Sequence, residues 1–460
     1  MSIAYHRPPL NRATKRSLLA PLLLTALLTG GVARAALAIS LLDSYKAALD
    51  NDPSFQGARS AQLAGMESSV IGLSNLLPSI SASYGYTQND GTRTILPNQG
   101  TEPVRYDSKV LNLSLRQPLY SPDGWQRYQG SQAQVAYSDA QFAGARQDLI
   151  VRLTTAYLEA LLAEDQLRLA IAQRDAYKEN YTANQRMFEK GAGTRTDMLE
   201  TRARYQLAEA QAIEMENLVD NKRQELAVII GRDPGVLDPL ARKLPELPLE
   251  HRSLEAWESV TRENNPDVQA QRHSVAYSQT EVERNRAGHY PRVDLIASYG
   301  RNTSDSYVNR DYQINVTSVG VQLSIPLYSG GSVSAQTRQA SARLMSDKAS
   351  LDATLHKSLV EVRKQFQLVS SSLMRMQAME EAERSAAEAV EANRKSVAGG
   401  TRVNLDVLNS LQQLFTTRRD LSDARHGYLL SHLRLRAAAG VLSDTDLVSV
   451  GACFQLTPGS

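Results

Sequence analysis

The sequence Pro118-Leu119-Tyr120-Ser121 recurs as Pro326-Leu327-Tyr328-Ser329, about 210 residues further along the chain. Other landmarks recur in the same order and at nearly the same spacing. These further pairs are Asn51-Asp52-Pro53 with Asn264-Asn265-Pro266, Pro78 with Pro291, Gly191 with Gly400, Asp197 with Asp406 and Gly231 with Gly440. Because so many matches in one order rarely arise by chance, the sequence predicts two copies of one unit of roughly 200 residues.

The repeat divides the chain into segments. We predict an export signal over 1–38, a first repeat over 39–231, a linker over 232–250, a second repeat over 251–440 and a C-terminal tail over 441–460. The linker is rich in proline, which interrupts helices and strands. It is therefore interpreted as the connection between the two repeats.

The start of the chain has the order of a secretory signal. Residues 1–16 contain basic side chains and no acid, 18–28 form an apolar run, and small-residue cleavage sites follow at Ala33-Arg34-Ala35 or Ala36-Leu37-Ala38. A buried N-terminal helix, the alternative, leaves this order of charges unexplained. No cysteine follows the cleavage zone, so a lipid anchor is not expected there. We therefore expect the mature chain to begin outside the cytoplasm.

The composition argues against several classes of protein. The 51 Lys and Arg residues against 49 Asp and Glu leave a formal net charge of +2, and the basic patch of a nucleic-acid binder is missing. The single cysteine, Cys453, excludes an intramolecular disulfide and a multi-cysteine metal site. The seven histidines are scattered, and no catalytic or cofactor-binding pattern stands out. We therefore expect no enzyme, no metal, no cofactor and no nucleic-acid partner.

Each repeat contains two stretches in which apolar and polar residues alternate strictly. In the first stretch Ile80 and Tyr84, for example, are separated from each other by serines and one alanine. Such a period of two gives a strand one apolar and one polar face. The pattern predicts a β-hairpin over about 78–118 and another over about 291–326.

Four prolines mark the borders of these strands. Pro78 and Pro291 precede the first strand of each hairpin, whereas Pro118 and Pro326 are expected to end the second strand. Proline lacks the N–H group that a strand ladder uses, so it favours strand ends. We predict that all four residues lie at junctions between sheet and helices.

Helical segments surround each hairpin. The predicted helices, in chain order, cover 40–76, 122–190, 195–230, 253–288, 330–398 and 402–439. The two longest would each extend on the order of 100 Å at about 1.5 Å per residue. Apolar residues recur at spacings of three and four, as at Ile150, Leu153 and Tyr157, which is typical of helices that pack side by side. The sequence therefore predicts two long antiparallel helical pairs.

Four strands per chain are too few to close a membrane barrel, because the smallest barrels use about eight. An open sheet edge in lipid would leave backbone groups unpaired at several kcal/mol each. If the alternating faces meet lipid, several chains must therefore pool their strands, and a trimer would supply twelve. The alternative is a secreted or periplasmic coiled-coil protein, such as an adaptor or a structural protein, without a pore.

The pattern resembles the TolC family of outer-membrane efflux and secretion channels over about residues 40–445. The resemblance rests on the duplicated Pro-Leu-Tyr-Ser passages, the proline-bordered hairpins and the two helix turns in which Gly is followed by Asp. It implies an α+β membrane protein: a homotrimer with a shared twelve-stranded β-barrel in the outer membrane of a Gram-negative bacterium and a long periplasmic helical barrel. It also implies a periplasmic adaptor and an inner-membrane pump, either an ABC transporter or a proton-driven one, as partners.

The same resemblance implies a gate at the periplasmic helix tips, which lie here at 191–197 and 400–406. Arg402 stands where the family carries a gate arginine, and Thr196 and Asp197 where it carries the partners of that arginine. Asp406 stands where carboxylates ring the narrowest point, and such a ring favours cations. Helix capping near an N-terminus is the alternative role for both aspartates.

The sequence departs from the family pattern at two gate positions. Asn409 stands where a second carboxylate ring would be, and Val397 stands where a gate tyrosine would be. We therefore expect one acidic constriction rather than two, and a different set of gate hydrogen bonds.

The expected function is a passive outer-membrane exit duct that an adaptor and a pump open at the helix tips. Two uses are open, namely type I protein secretion and the efflux of small toxic compounds. The near-equal repeats and the missing lipid-anchor cysteine favour the TolC-like branch, which serves both uses.

Overall fold

A computed structural model describes residues 39–94, 100–241, 243–304 and 312–454. The predicted export signal over 1–38, with both cleavage sites, lies outside these residues, as does the end of the C-terminal tail. The described chain is mostly helical and contains one four-stranded sheet.

The helices and strands follow one another in the same order in both halves of the chain. The first half contains α1 (Leu41–Asn51), α2 (Pro53–Ser74), β1 (Ser79–Thr94), β2 (Thr101–Tyr120), α3 (Pro122–Glu189) and α4 (Arg195–Ile230). The second half contains α5 (Leu254–Asn264), α6 (Pro266–Arg286), a short 3₁₀ helix (Ala287–His289), β3 (Arg292–Ser304), β4 (Tyr312–Ser324), α7 (Ser332–Ala398) and α8 (Asn404–Ala439). A last helix, α9 (Asp444–Gly451), follows.

Each helical stretch before a hairpin consists of two helices rather than one, which corrects the predicted continuous helices over 40–76 and 253–288. The break falls before a proline, which disfavours helical backbone in the preceding residue. Asp52 and Asn265 occupy that position with extended backbone, and their side chains accept hydrogen bonds from backbone amides in the first turns of α2 and α6.

The sheet is antiparallel throughout, with the order β1-β2-β3-β4. Pro78 and Pro291 directly precede β1 and β3, and Pro326 lies two residues after β4. Pro118 differs from the expectation, because β2 continues to Tyr120 and its register with β3 shifts between Pro118 and Tyr120. An irregular pairing of this kind accommodates a residue that lacks an N–H group inside a strand.

The long helices α3 and α7 contain 68 and 67 residues and therefore extend over roughly 100 Å each. Each packs against the antiparallel helix that follows it, and α3 also contacts α8. No helix among the described residues is both long and apolar enough to cross a membrane.

The main hydrophobic core lies midway along the long helices, where α1, the linker and α9 pack on α3 and α8. Two buried tyrosines fix the linker there. The Tyr157 hydroxyl donates to Ile39 O and accepts from Asp238 N, both at 3.0 Å. The Tyr428 hydroxyl accepts from Leu247 N at 2.8 Å. The linker is therefore held across two helices that come from different halves of the chain.

Candidate functional site

The first helix tip, defined as residues 191–197, joins α3 to α4. Gly191 turns the chain with φ +74°, and Thr194 caps α4. The Asp197 amide donates to Thr194 Oγ1 at 3.1 Å, and that hydroxyl donates to Asp197 Oδ2 at 2.6 Å. Asp197 is therefore part of the helix cap within its own chain.

The second helix tip, defined as residues 400–406, joins α7 to α8. Gly400 turns the chain with φ +72°, and Thr401 Oγ1 donates to Ser396 O at 3.0 Å. The residue before α8 is Val403, which has no side-chain cap to offer. Among the described residues, none donates a hydrogen bond to the carboxylate of Asp406, which is half-buried. The two tips therefore use their aspartates differently.

The structure does not bring the predicted gate pair together within one chain. Arg402 and Thr196 are exposed, and Asp197 is half-buried in its cap. In the part of the chain that the structure describes, Arg402 forms no ion pair with Asp197. Arg402 thus projects from the second tip with its guanidinium accessible.

A different hydrogen-bond network links the two helical pairs near the tips. Arg204 Nη2 of α4 donates to Asn409 Oδ1 of α8 at 2.9 Å. The buried Tyr177 hydroxyl of α3 donates to Gln412 Oε1 of α8 at 3.0 Å, and Gln173 Nε2 reaches the same oxygen at 3.4 Å. The predicted position Asn409 is therefore engaged by a cation instead of carrying a second negative charge.

The sequence reasoning did not identify Arg204, Tyr177 or Gln412. A signal was present on α8, because Asp406, Asn409 and Gln412 follow one another at intervals of three residues and so share one helix face. Nothing in the sequence indicates which residues of α3 and α4 oppose that face. Their identification required the packed structure.

A small apolar core lies behind this network, between the four helices that lead to the two tips. Val397 packs against this core instead of donating a hydrogen bond, so a valine suits a position where the family resemblance implies a tyrosine. The buried members of the cluster are Tyr177, Ala208, Val390, Val407, Leu408, Leu411, Leu414 and Phe415. The tips are therefore held by apolar packing as well as by hydrogen bonds.

A cavity of about 590 Å³ opens further along the helices, between α3, α7, α8 and the linker. His426 lines this cavity and is 5% exposed. Its Nδ1 donates to Ser422 O at 2.8 Å, and its Nε2 has no hydrogen-bond partner among the described residues. Burial lowers the pKa of His426 below its ordinary value of 6.5. Within the described ranges, no group of three His, Cys, Asp or Glu side chains could hold a metal ion.

The sheet forms a second candidate site because its apolar side chains are exposed. Val319, Val321 and Leu323 of β4 are 73%, 64% and 58% exposed, and they lie beside apolar residues of β3. Exposed aromatic residues, Tyr120 and Tyr328, lie where the strands give way to helices. An apolar face bordered by aromatic rings suits contact with lipid.

The sequence model of the outer membrane efflux protein family matches the chain twice, over residues 44–232 and 257–441. The chain is 42% identical to the alkaline protease secretion protein AprF of Pseudomonas aeruginosa, over 91% of this chain and 88% of that protein. It is 40% identical to the proteases secretion protein PrtF of Dickeya chrysanthemi, over 94% of each.

Solved outer-membrane channels share the fold at lower sequence identity. The CmeC outer membrane channel of Campylobacter jejuni superposes with a TM-score of 0.76 at 16% identity, over 90% of both chains. The two matches to the family model cover most of the chain, and both protease secretion relatives align over nearly its whole length. On these grounds, the chain belongs to the outer membrane efflux protein family.

Proposed function

We propose that this chain is the subunit of a homotrimeric exit duct, in which three sheets join into one twelve-stranded barrel in the outer membrane. The observation that carries the proposal is a sheet with an outward apolar face and two open edges, attached to helices of roughly 100 Å. The two matches to the family model support the proposal that each half is one repeat.

The open edges argue for assembly. Among the described residues, β1 and β4 each pair with one strand only, so each has a row of free backbone groups. Such an edge is unfavourable in hydrocarbon, where every unpaired group costs several kcal/mol. Pairing β4 of one copy with β1 of the next satisfies both rows and closes the sheet. A periplasmic adaptor or structural protein, the alternative, has no need of the exposed apolar face.

We assign the gate to the helix tips, with the long helices forming a periplasmic tube. The accessible guanidinium of Arg402 would reach Thr196 or Asp197 of a neighbouring copy, since it has no ion pair with Asp197 in its own chain. An exposed pair of this kind stabilises the closed tip by only about 0–1 kcal/mol, so a docking partner can release it. Three unpaired Asp406 carboxylates around the axis would favour cations and repel anions.

The names of the most similar relatives reported above indicate that the cargo is protein. AprF and PrtF are named for the secretion of proteases, and both align with nearly all of this chain. We infer type I protein secretion, with an inner-membrane ABC transporter and a periplasmic adaptor supplying the energy and the opening movement. The duct itself would be passive. Efflux of small toxic compounds is the second use, since the family is named for efflux and the outer membrane efflux protein BepC of Brucella suis is 25% identical over 95% of this chain.

Single-channel conductance in a planar bilayer tests the duct and the gate together. The wild-type trimer is expected to give small, cation-selective currents, and Arg402→Ser should enlarge them. Arg375→Ser, which removes an exposed arginine of α7 away from the tips, serves as the matched control. Unchanged currents in Arg402→Ser would remove this residue from the gate. Folded trimers without any current would overturn the duct.

The cargo is tested in a strain that secretes alkaline protease with the help of AprF and from which AprF has been deleted. Expression of this chain is expected to restore protease in the culture medium, whereas Cys453→Ser, a change in the core away from the tips, should behave as the wild type. Restored drug resistance in a host lacking TolC, without restored protease secretion, would favour efflux instead.

A further inference from the structure

The polar face of the sheet contains an unbroken row of serines. In the observed register Ser81 pairs with Ser114, Ser114 with Ser298, and Ser298 with Ser318. Directly opposed residues in a sheet share a face, so all four hydroxyls lie side by side. Ser81 Oγ and Ser114 Oγ are 2.7 Å apart. One serine from every strand therefore forms a continuous hydroxyl row across the sheet.

The next two rows toward the hairpin turn are also free of ionisable side chains. Their members, in strand order, are Ser83, Asn112, Gly300 and Val316, then Gly85, Val110, Asn302 and Ile314. Three of these residues are serine or glycine, two are asparagine and three are aliphatic. The opposite face at the same level contains Ile80, Leu115, Ala297 and Val319. The sheet thus presents an uncharged, largely hydroxyl and amide surface behind its apolar one.

Charges appear at both ends of this neutral zone. Toward the helices, the buried Asp294 carboxylate accepts from Arg116 Nη2 at 2.7 Å and from Arg292 Nε at 3.2 Å. Toward the hairpin turn, Arg93 lies directly opposite Glu102 on the same face as the serines. Because these charged side chains lie at the two ends, the zone between them has no fixed charge of either sign.

We propose that these three rows line the membrane passage as a neutral hydroxyl girdle, which conducts extended polypeptide irrespective of its charge. The inference rests on the proposed function, since it requires the polar face to point into the barrel. Serine hydroxyls exchange hydrogen bonds with water readily and offer passing side chains neither a countercharge nor a large apolar surface. Selection by charge then occurs at the helix tips and not within the membrane.

The girdle is tested by the local reactivity of introduced thiols in intact outer membranes. Ser298→Cys places a thiol on the polar face, and Ala297→Cys places one on the apolar face one residue away. Two methanethiosulfonates of similar size, one cationic and one anionic, are applied from outside. The rate at which each reagent modifies the introduced thiol is divided by the rate at which it modifies free cysteine, which corrects for the intrinsic reactivity of the reagent. The native Cys453 is buried and serves as the unreactive background in the wild type.

We expect Ser298→Cys to react with both reagents at corrected rates within about threefold of each other, because a neutral lumen concentrates neither ion. Ala297→Cys should react at least about tenfold more slowly, since hydrocarbon excludes the reagents and the thiolate. Ser114→Cys and Leu113→Cys repeat the comparison on β2, should the β3 variants fail to assemble.

The outcomes separate the two proposals. A preference of more than about tenfold for one reagent at Ser298→Cys, with Ala297→Cys protected, would show a charged lumen and overturn the girdle while leaving the duct intact. Equal reactivity of both thiols would mean that lipid covers neither face, which would overturn the proposed barrel itself. Protection of both thiols in trimers that still conduct would overturn the girdle alone.

Discussion

Gly440 shows how a single residue connects the two ends of the second half of the chain. It ends α8 with φ +79°, and its α-carbon lies against the break between α5 and α6. A β-carbon added there would lie 2.4 Å from Asn264 O and 2.5 Å from Asn265 Cα. Gly231 ends α4 in the same way, beside Asn51. The glycine caps and the Asn-Asp-Pro and Asn-Asn-Pro passages, which recur together in the sequence, therefore also meet in space.

We expect Gly440→Ala to destabilise the protein by roughly 1–3 kcal/mol, because the left-handed backbone is strained for alanine and the contacting atoms belong to main chain. Gly427→Ala in the middle of α8 is the matched control, since nothing lies within 4 Å of its added β-carbon. That control should be neutral or slightly stabilising. Thermal unfolding of the helices, followed by circular dichroism, measures both. Equal melting temperatures for the two variants would contradict the close approach.

His426 should make stability depend on pH. Burial lowers the pKa of His426, so the folded chain favours the neutral ring whereas the unfolded chain binds a proton near pH 6.5. The contribution of the neutral His426 ring to the free energy of unfolding is therefore complete above pH 6.5. It is lost as the pH falls from 6.5 toward the lowered pKa of the folded chain. The charged groups lining the cavity beside the ring are Asp165 and Arg168 of α3, Glu383 of α7, and Arg418 and Arg425 of α8.

We expect His426→Gln to flatten this dependence, because glutamine keeps a donor for the helix but does not titrate. Melting temperatures at pH 7.5 and 5.5 are compared for the wild type and His426→Gln. The melting temperature of the wild type should decrease more between pH 7.5 and pH 5.5 than that of the variant. His432→Gln is a useful second variant, since burial lowers the pKa of His432 as well. If the melting temperatures of both variants changed between pH 7.5 and pH 5.5 by as much as that of the wild type, these histidines would not be the source of the pH dependence.

At the scale of elements, the position of α8 against α3 and α4 decides how the tips are held. Hydrogen bonds from Arg204 to Asn409 and from Tyr177 to Gln412 cross between the helical pairs. The apolar core behind them excludes water from one side of the network. Hydrogen bonds from a charged donor are among the stronger ones in proteins, and each contributes about 1.5–3 kcal/mol to stability when it is shielded from water. The Arg204–Asn409 bond, at an exposed asparagine, should contribute less.

Arg204→Ala and Asn409→Ala are each expected to raise the open probability of the channel, because either change frees α8 from α4. The double variant should behave like either single variant, since both remove the same bond. Single-channel recording measures all three, and Asn409→Asp, which keeps an acceptor for Arg204, should preserve the closed state. Additive effects of the two alanine changes would indicate that the residues act independently.

At the scale of the whole molecule, the apolar face of the sheet must meet lipid in the proposed trimer. Val321 lies within an exposed apolar run of β4, and its neighbour Gln322 is on the opposite face beside Asp294. An arginine on the lipid face costs up to about 2–4 kcal/mol per chain, with the highest cost at the middle of the bilayer. The same arginine on the polar face remains in water and lies near a carboxylate.

We therefore expect Val321→Arg to reduce the amount of heat-resistant trimer in outer-membrane fractions several-fold, whereas Gln322→Arg should assemble as the wild type. Electrophoresis of unheated and heated samples measures both variants in parallel. If the two arginines were tolerated equally well, the face that contains Val321 would not be the lipid-facing one.

Local patterns in the sequence determined the elements of this protein. The period-two stretches and their prolines predicted both hairpins, and the long helices lie within two residues of their predicted bounds because glycine turns and proline act on the backbone nearby. The family resemblance was confirmed by the matches to the family model and to AprF and PrtF. The gate assignment of Thr196, Asp197, Arg402 and Asp406 stays a prediction.

Only the tertiary structure decided which distant residues meet. The contact of Arg204 with Asn409, the anchoring of the linker by Tyr157 and Tyr428, and the continuation of β2 past Pro118 all depend on how separate segments align. A helix or strand pattern fixes which face of an element is apolar, but it does not fix the axial register between two elements. That register follows from packing and hydrogen bonding across the whole chain, which no local stretch of sequence contains.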